Sequence, residues 1–82
     1  MNEPRHRVTL MSRQGCHLCE QARAVIEQVV AETGDAFEVL DIDADPALHE
    51  RYWELIPVTL IDDRQHDYWR VDPERLRAAL RA

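Results

Sequence analysis

The sequence predicts an α/β domain: a mixed four-stranded sheet covered by helices on both faces, in the order β-α-β-α-β-β-α. Three observations lead there. Short apolar or β-branched runs alternate with segments of helical periodicity. The opening β-α-β unit implies parallel strands with a right-handed crossover. The last two strand-like runs are separated only by Asp62-Asp63-Arg64, a tight turn that makes them an antiparallel hairpin.

Each element has its own local reason. Arg7 to Met11 reads as a strand, because Val8, Thr9, Leu10 and Met11 are apolar or β-branched. Ser12-Arg13-Gln14-Gly15 is a loop, and Gly15 can take dihedrals that other residues avoid. From Cys16 the period changes. Leu18, Ala22, Val25, Ile26, Val29 and Val30 fall on one helical stripe, which Gly34 ends as a left-handed cap. Ala36 to Ile42 is the second strand, with Phe37, Val39 and Leu40 as its core residues. Asp45-Pro46 opens a second helix, an N-cap followed by a proline at the first helical position. Leu48 and Tyr52 share a face of it. Ile56-Pro57 stops it, because a residue before proline avoids the α region. Val58 to Ile61 is the third strand and Gln65 to Val71 the fourth. Asp72-Pro73 repeats the helix-start device, and Leu76 and Leu80 anchor a helix that runs to the C-terminus.

The 82 residues are read as one domain, 1–82, too short to hide a second core. A hydrophobic content of 45 % and a charged content of 32 % are those of a folded chain rather than a disordered one. A net charge of −6 argues against nucleic-acid binding, which needs a basic face. The charge is uneven: residues 32–63 hold ten carboxylates and one arginine. Both cysteines lie in the slightly basic N-terminal third. No apolar run approaches the roughly 20 residues of a membrane span, and MNEPRHRVTL lacks the apolar stretch of a secretory signal. The expectation is therefore a cytoplasmic monomer without membrane or nucleic-acid partners.

The chemistry is concentrated in RQGCHLCEQ, where Cys16 and Cys19 stand at a strand-to-helix junction. A structural metal site wants two separated ligand pairs, and this chain has one C-x-x-C with its histidines scattered, so no metal site is expected. As a staple, a bond closing about four residues stabilises by only roughly 2 kcal/mol. A redox-active dithiol fits the physics better. Cys16 at the helix N-terminus meets free N–H groups and the positive end of the macrodipole, which favour a thiolate. The thiolate is the nucleophile. Cys19, one turn further, is more shielded and placed to resolve a mixed disulfide. Arg13 and His17 add positive or partly positive charge nearby.

Over about Arg7 to Leu80 the chain resembles the glutaredoxin-like branch of the thioredoxin superfamily, and most of all its small bacterial C-H-L-C group. The resemblance rests on the strand VTLM, Arg13 three residues before the first cysteine, CHLC itself, the Ile56-Pro57-Val58 segment, the final hairpin and helix, and the ending Trp69-Arg70-Val71-Asp72. It implies a thioredoxin-like fold and thiol–disulfide exchange, with Cys16 as nucleophile and Cys19 as resolving thiol. It also implies that Pro57 is a cis-proline facing the dithiol, with the backbone of Ile56 pairing with an extended substrate. The implied substrates are disulfide-bonded proteins or small thiols. No cofactor is bound tightly; a low-molecular-weight thiol such as glutathione, or a reductase, resets the pair. The chain departs from glutaredoxins in three places. His17-Leu18 replaces Pro-Tyr between the cysteines, and Leu55-Ile56 replaces Thr-Val before the proline. HDYWRVDP stands where a Gly-Gly turn holds the γ-glutamyl end of glutathione. Weak glutathione binding is the consequence expected.

Other residues read plainly. Asp41, Asp43 and Asp45 have the opening rhythm of a calcium loop, but Pro46 and Tyr52 occupy positions that need Gly and Glu. Asp72 is an N-cap. Trp53 and Trp69 are read as packing residues, with Trp69 also bordering the site. The competing reading is a weakly active or redox-inert protein-binding module that uses the Pro57 edge and the Tyr68/Trp69 surface.

Overall fold

The computed structural model describes residues 4–81. Its elements are β1 (Arg7–Ser12), α1 (His17–Thr33), β2 (Ala36–Asp41), a 3-10 turn (Ile42–Ala44), α2 (Pro46–Tyr52), β3 (Val58–Ile61), β4 (Arg64–Tyr68) and α3 (Pro73–Arg81). The sheet order is β2-β1-β3-β4. β1 pairs with β2 in parallel, while β1–β3 and β3–β4 are antiparallel. The predicted fold class and element order are those observed. The bounds 1–82 for the domain, and the run of the last helix to residue 82, reach past the described residues.

Strand alternation divides the core between the two faces of the sheet. Val8 and Leu10 of β1 point to one side, where they pack with Ala22, Ile26 and Val29 of α1 and Leu76 and Leu80 of α3. Met11 points to the other, with Val58 and Leu60 of β3, Ile42 and Tyr52. The central strands β1 and β3 are buried on both faces, whereas Phe37 and Val39 of the edge strand β2 are only half-buried. Cap chemistry follows the sequence. Gly34 ends α1 at φ 79°, its N–H bonded to the Val30 carbonyl. The Asp45 carboxylate caps α2 through the Ala47 N–H at 2.9 Å. Asp72 caps α3 through the N–H groups of Glu74 and Arg75. The hairpin turn carries Asp62 and Asp63 at positive φ, 51° and 69°, the backbone of a tight two-residue hairpin. Hydrogen bonds from His6 and from the Arg7 N–H hold the Asp62 carboxyl below the usual carboxylate range.

α1 begins at His17 with Cys16 as its N-cap, the helix N-terminal place expected of it. Four expectations are corrected. Ile42 leaves β2 for a 3-10 turn, started by the Asp41 carboxylate accepting the Asp43 N–H. α2 stops at Tyr52, and the Tyr52 carbonyl then accepts both the Leu55 and Ile56 N–H groups; this closing turn ends the helix before Pro57 is reached. β4 ends at Tyr68 instead of Val71, because Trp69 at φ 66° turns the chain out of the sheet. Trp53 and Trp69 are not buried packing residues: each is 52 % exposed.

Candidate functional site

The strand-to-helix junction fixes the cysteines. β1 delivers the chain to the loop at residues 13–15, where Gly15 takes φ 78°. Cys16 then sits in extended backbone, φ −95° and ψ 107°. Its carbonyl accepts the Glu20 N–H at 3.1 Å, and its Sγ accepts the Cys19 N–H at 3.2 Å. The sulfur therefore does the work of an N-cap oxygen. Cys16 and Cys19 are joined as a disulfide with their Cα atoms 5.2 Å apart. Cys16 is half-buried, whereas Cys19 is 2 % exposed. One sulfur is reachable and the other is covered. The same N–H that holds Sγ in the disulfide would stabilise a Cys16 thiolate after reduction, since hydrogen bonds to a charged acceptor are the stronger kind.

The other candidate residues are placed unequally. Arg13 turns to Asp43, with its Nε and an Nη each 3.1 Å from one carboxylate oxygen. His49 Nε2 stands 3.8 Å from that same aspartate. The Arg13 charge is thus shared with a carboxylate rather than directed wholly at Cys16. His17 is exposed and has no hydrogen bond or ion pair among the described residues. The Ile56–Pro57 peptide is cis. The Ile56 N–H is taken by the Tyr52 carbonyl at 3.1 Å. Pro57 is buried, and its carbonyl accepts the Trp69 N–H at 2.7 Å.

Trp69 is held from several directions. Its φ of 66° and the 2.8 Å bond from the Arg70 N–H to the Tyr68 carbonyl define a γ-turn. Its indole N–H reaches the Glu54 carbonyl at 3.2 Å. Tyr68 meets it edge to face, ring centroids 5.0 Å apart. A bulky residue in this conformation costs about 1–3 kcal/mol and persists only where its surroundings over-determine it. The bonds to Glu54 and Pro57 supply that constraint and tie the Trp69 turn to the loop before β3.

Two clefts lie along the first turns of α1. One, about 240 Å³, runs behind Cys19 between the loop at residues 12–15, Glu20 and Arg23 of α1, and Val39 and Asp41 of β2. The other, also about 240 Å³, lies between α1 and the turn at residues 69–71, and Leu18 and Trp69 both line it. The structure thus brings Arg13 to Cys19 and Trp69 to Leu18. Three relevant residues were not legible beforehand. Asp43, the partner of Arg13, comes close because the parallel register sets Ser12 beside Asp41. Leu18 was assigned to the core but is 42 % exposed, since the buried stripe of α1 is centred on Ala22, Ile26 and Val29 and leaves Leu18 at its flank. Arg70 was named only as part of the Trp69-Arg70-Val71-Asp72 ending, with no role assigned to it. Among the described residues no helix is long and apolar enough to cross a membrane.

Comparison with known proteins agrees with this arrangement. Residues 7–81 match the model of the glutaredoxin-like domain (DUF836). An uncharacterized protein of Mycobacterium tuberculosis is 36 % identical over 81 residues, covering 90 % of this chain and 81 % of its own length. A solved protein of X. campestris, XcR50, is 38 % identical, with a TM-score of 0.74 over 90 % of this chain and 95 % of its own. Protein Ne2328 of Nitrosomonas europaea has a TM-score of 0.79 at 26 % identity, over 96 % and 94 % of the two chains. Thioredoxins align at 12 to 21 % identity, a likeness of fold alone. A paired C-x-x-C capping the first helix of a β-α-β-α-β-β-α domain, matched from the first strand to the last helix, places this chain in the glutaredoxin-like domain family, on a thioredoxin-type fold.

Proposed function

We propose that the protein is a thiol–disulfide oxidoreductase working through the Cys16/Cys19 dithiol. The observation that carries the reading is the asymmetry of the pair: a reachable Cys16 sulfur held by a helix N–H, bonded to a buried Cys19. In the reducing direction the Cys16 thiolate attacks a substrate disulfide and one substrate thiolate leaves. Cys19 then attacks Cys16 Sγ, so that the intramolecular disulfide forms and the second substrate thiol departs. The dithiol loses two electrons and the substrate disulfide gains them. A low-molecular-weight thiol or a reductase returns the dithiol to its reduced form. In this reading the Ile56 carbonyl and Pro57 offer the edge along which an extended substrate lies, Trp69 borders it, and Arg13 and His17 supply positive charge. The working form is a monomer acting in the cytoplasm on disulfide-bonded proteins or small thiols.

Single-cysteine variants test the assignment of roles. Cys19→Ser should accumulate a mixed disulfide with its substrate, seen by mass spectrometry, because the resolving thiol is gone. Cys16→Ser should trap none, because the remaining thiol is buried. Trapping by Cys16→Ser as fast as by Cys19→Ser would overturn the mechanism. The exposed Tyr68 and Trp69 favour the second reading, a redox-inert binding module. Its mark would be a pair that does not cycle within the range of known redoxins, about −120 to −270 mV.

A further inference from the structure

The apolar stripe of α1 is wider than the core requires. Ala22, Ile26 and Val29 are buried, but Leu18 and Val25 lie on the flank that faces the Trp69 turn, where they line the cleft with Trp69 and Val71. Leu18 and Trp69 are two of the large hydrophobic side chains that remain exposed. A constrained turn that holds an indole out of the core, opposite a leucine standing between the two cysteines, is a recognition surface. It builds one wall of a slot whose other wall carries Leu18, the residue between Cys16 and Cys19 in the sequence.

The charge around the slot is one-sided. Its polar lining residues are Gln21 and Arg70, and among the described residues no carboxylate lines it. Arg70 also borders the neighbouring cleft, which includes Asp67 and Asp72. Both of these are engaged elsewhere, Asp67 with Arg75 at 3.8 Å and Asp72 with the N-terminus of α3. Arg70 itself has no ion pair among the described residues. In a chain of net charge −6, Arg70 gives the apolar slot a cation with no ion pair of its own among the described residues.

We infer that the cleft between α1 and the Trp69 turn selects disulfide substrates by sequence: it takes an extended peptide with an aliphatic side chain near its cysteine, followed by an acidic residue that meets Arg70. The inference rests on the proposed oxidoreductase reading and names the substrate class that reading leaves open. The aliphatic group packs on Leu18, Val25 and Trp69. The carboxylate gives the peptide its direction along the slot.

Single-turnover kinetics with the reduced protein decide it. The probes are short peptides whose cysteine is activated as a pyridyl disulfide, with Leu-Glu, Leu-Lys or Ser-Glu beside it. Cys16 attacks the peptide sulfur and pyridinethione leaves; Cys19 then frees the peptide as a thiol, so the protein's own dithiol supplies both electrons. Each rate is divided by that for 2,2′-dithiodipyridine, an uncharged disulfide with no peptide. Leu-Glu should outpace Leu-Lys by about fivefold at low salt, the scale of an exposed ion pair, with the gap closing at high salt. Leu-Glu should outpace Ser-Glu by about tenfold, from partial burial of the leucine. Arg70→Glu should invert the Leu-Glu to Leu-Lys order. An order indifferent to charge, or unchanged in Arg70→Glu, overturns the inference. Failure of the wild-type protein to react with dithiodipyridine defeats the oxidoreductase reading instead. The cleft is then judged by NMR with the same peptides carrying Ser for Cys: shifts of the Leu18, Val25 and Val71 methyls that favour Leu-Glu over Leu-Lys support it, and their absence refutes it.

Discussion

Replacing Cys16 by serine or by alanine, both under reducing conditions, isolates the sulfur's role as a helix cap. In the structure Cys16 Sγ accepts the Cys19 N–H at 3.2 Å from an N-cap backbone of φ −95° and ψ 107°. A serine hydroxyl can accept the same bond, and an alanine methyl cannot. Alanine adopts the same extended backbone, so no strain separates the two variants. Neither forms the Cys16–Cys19 bond, so the loss of that cross-link cancels between them. What remains is one capping hydrogen bond, about 1 kcal/mol. For a domain of this size that corresponds to roughly 4–8 °C in Tm. Thermal and urea unfolding followed by circular dichroism should rank Cys16→Ser above Cys16→Ala by that margin, with equal m-values. The same bond is what the proposed mechanism uses to hold a thiolate, so the experiment bears on chemistry as well as stability. If the two variants melt together, the Cys19 N–H is not serving the residue-16 side chain, and the argument for an activated Cys16 loses its geometric basis.

Three further outcomes follow from other parts of the molecule. Glutathione should bind in the millimolar range, about −4 kcal/mol, because HDYWRVDP, with its Trp69 turn, replaces the Gly-Gly turn that holds glutathione in glutaredoxins; micromolar affinity by calorimetry would overturn that reading. His66 is pushed below its ordinary pKa of 6.5, chiefly by burial and in small part by Arg75, against an opposing pull from Asp67. The unfolded chain therefore binds more protons between the two values, so this contribution to stability is complete above about pH 6.5 and is lost as the pH falls toward the lowered value. His66→Gln should flatten that part of the stability–pH curve, and a wild-type curve already flat there would remove the basis for it. Ile26→Ala empties a fully buried position between Val8, Leu10, Leu76 and Leu80 and should cost about 2–5 kcal/mol in urea unfolding; a loss below about 1 kcal/mol would mean that the α1–α3 face closes over the gap.

Local chemistry is what the sequence alone determined. Gly34, Asp45-Pro46 and Asp72-Pro73 set helix ends because a cap depends on a few neighbouring atoms, and they do so here. Val8 to Met11 read as a strand by their apolar and β-branched side chains, and they form β1. The strand-to-helix position of Cys16 and Cys19 points to their pairing, and they are joined. Only the tertiary structure decided the surroundings. Asp43 reached Arg13 through the parallel register of β1 and β2, a pairing of residues 30 positions apart. The fourth strand ended early because Trp69 was drawn to the carbonyls of Glu54 and Pro57, and no window around Trp69 contains those partners. Leu18 belonged to an apolar stripe by spacing, yet its exposure depended on where α3 and the Trp69 turn lie against α1. Periodicity states which side of a helix is apolar; only the packed neighbours decide how much of that side is covered, and here the uncovered part lies beside the cysteines.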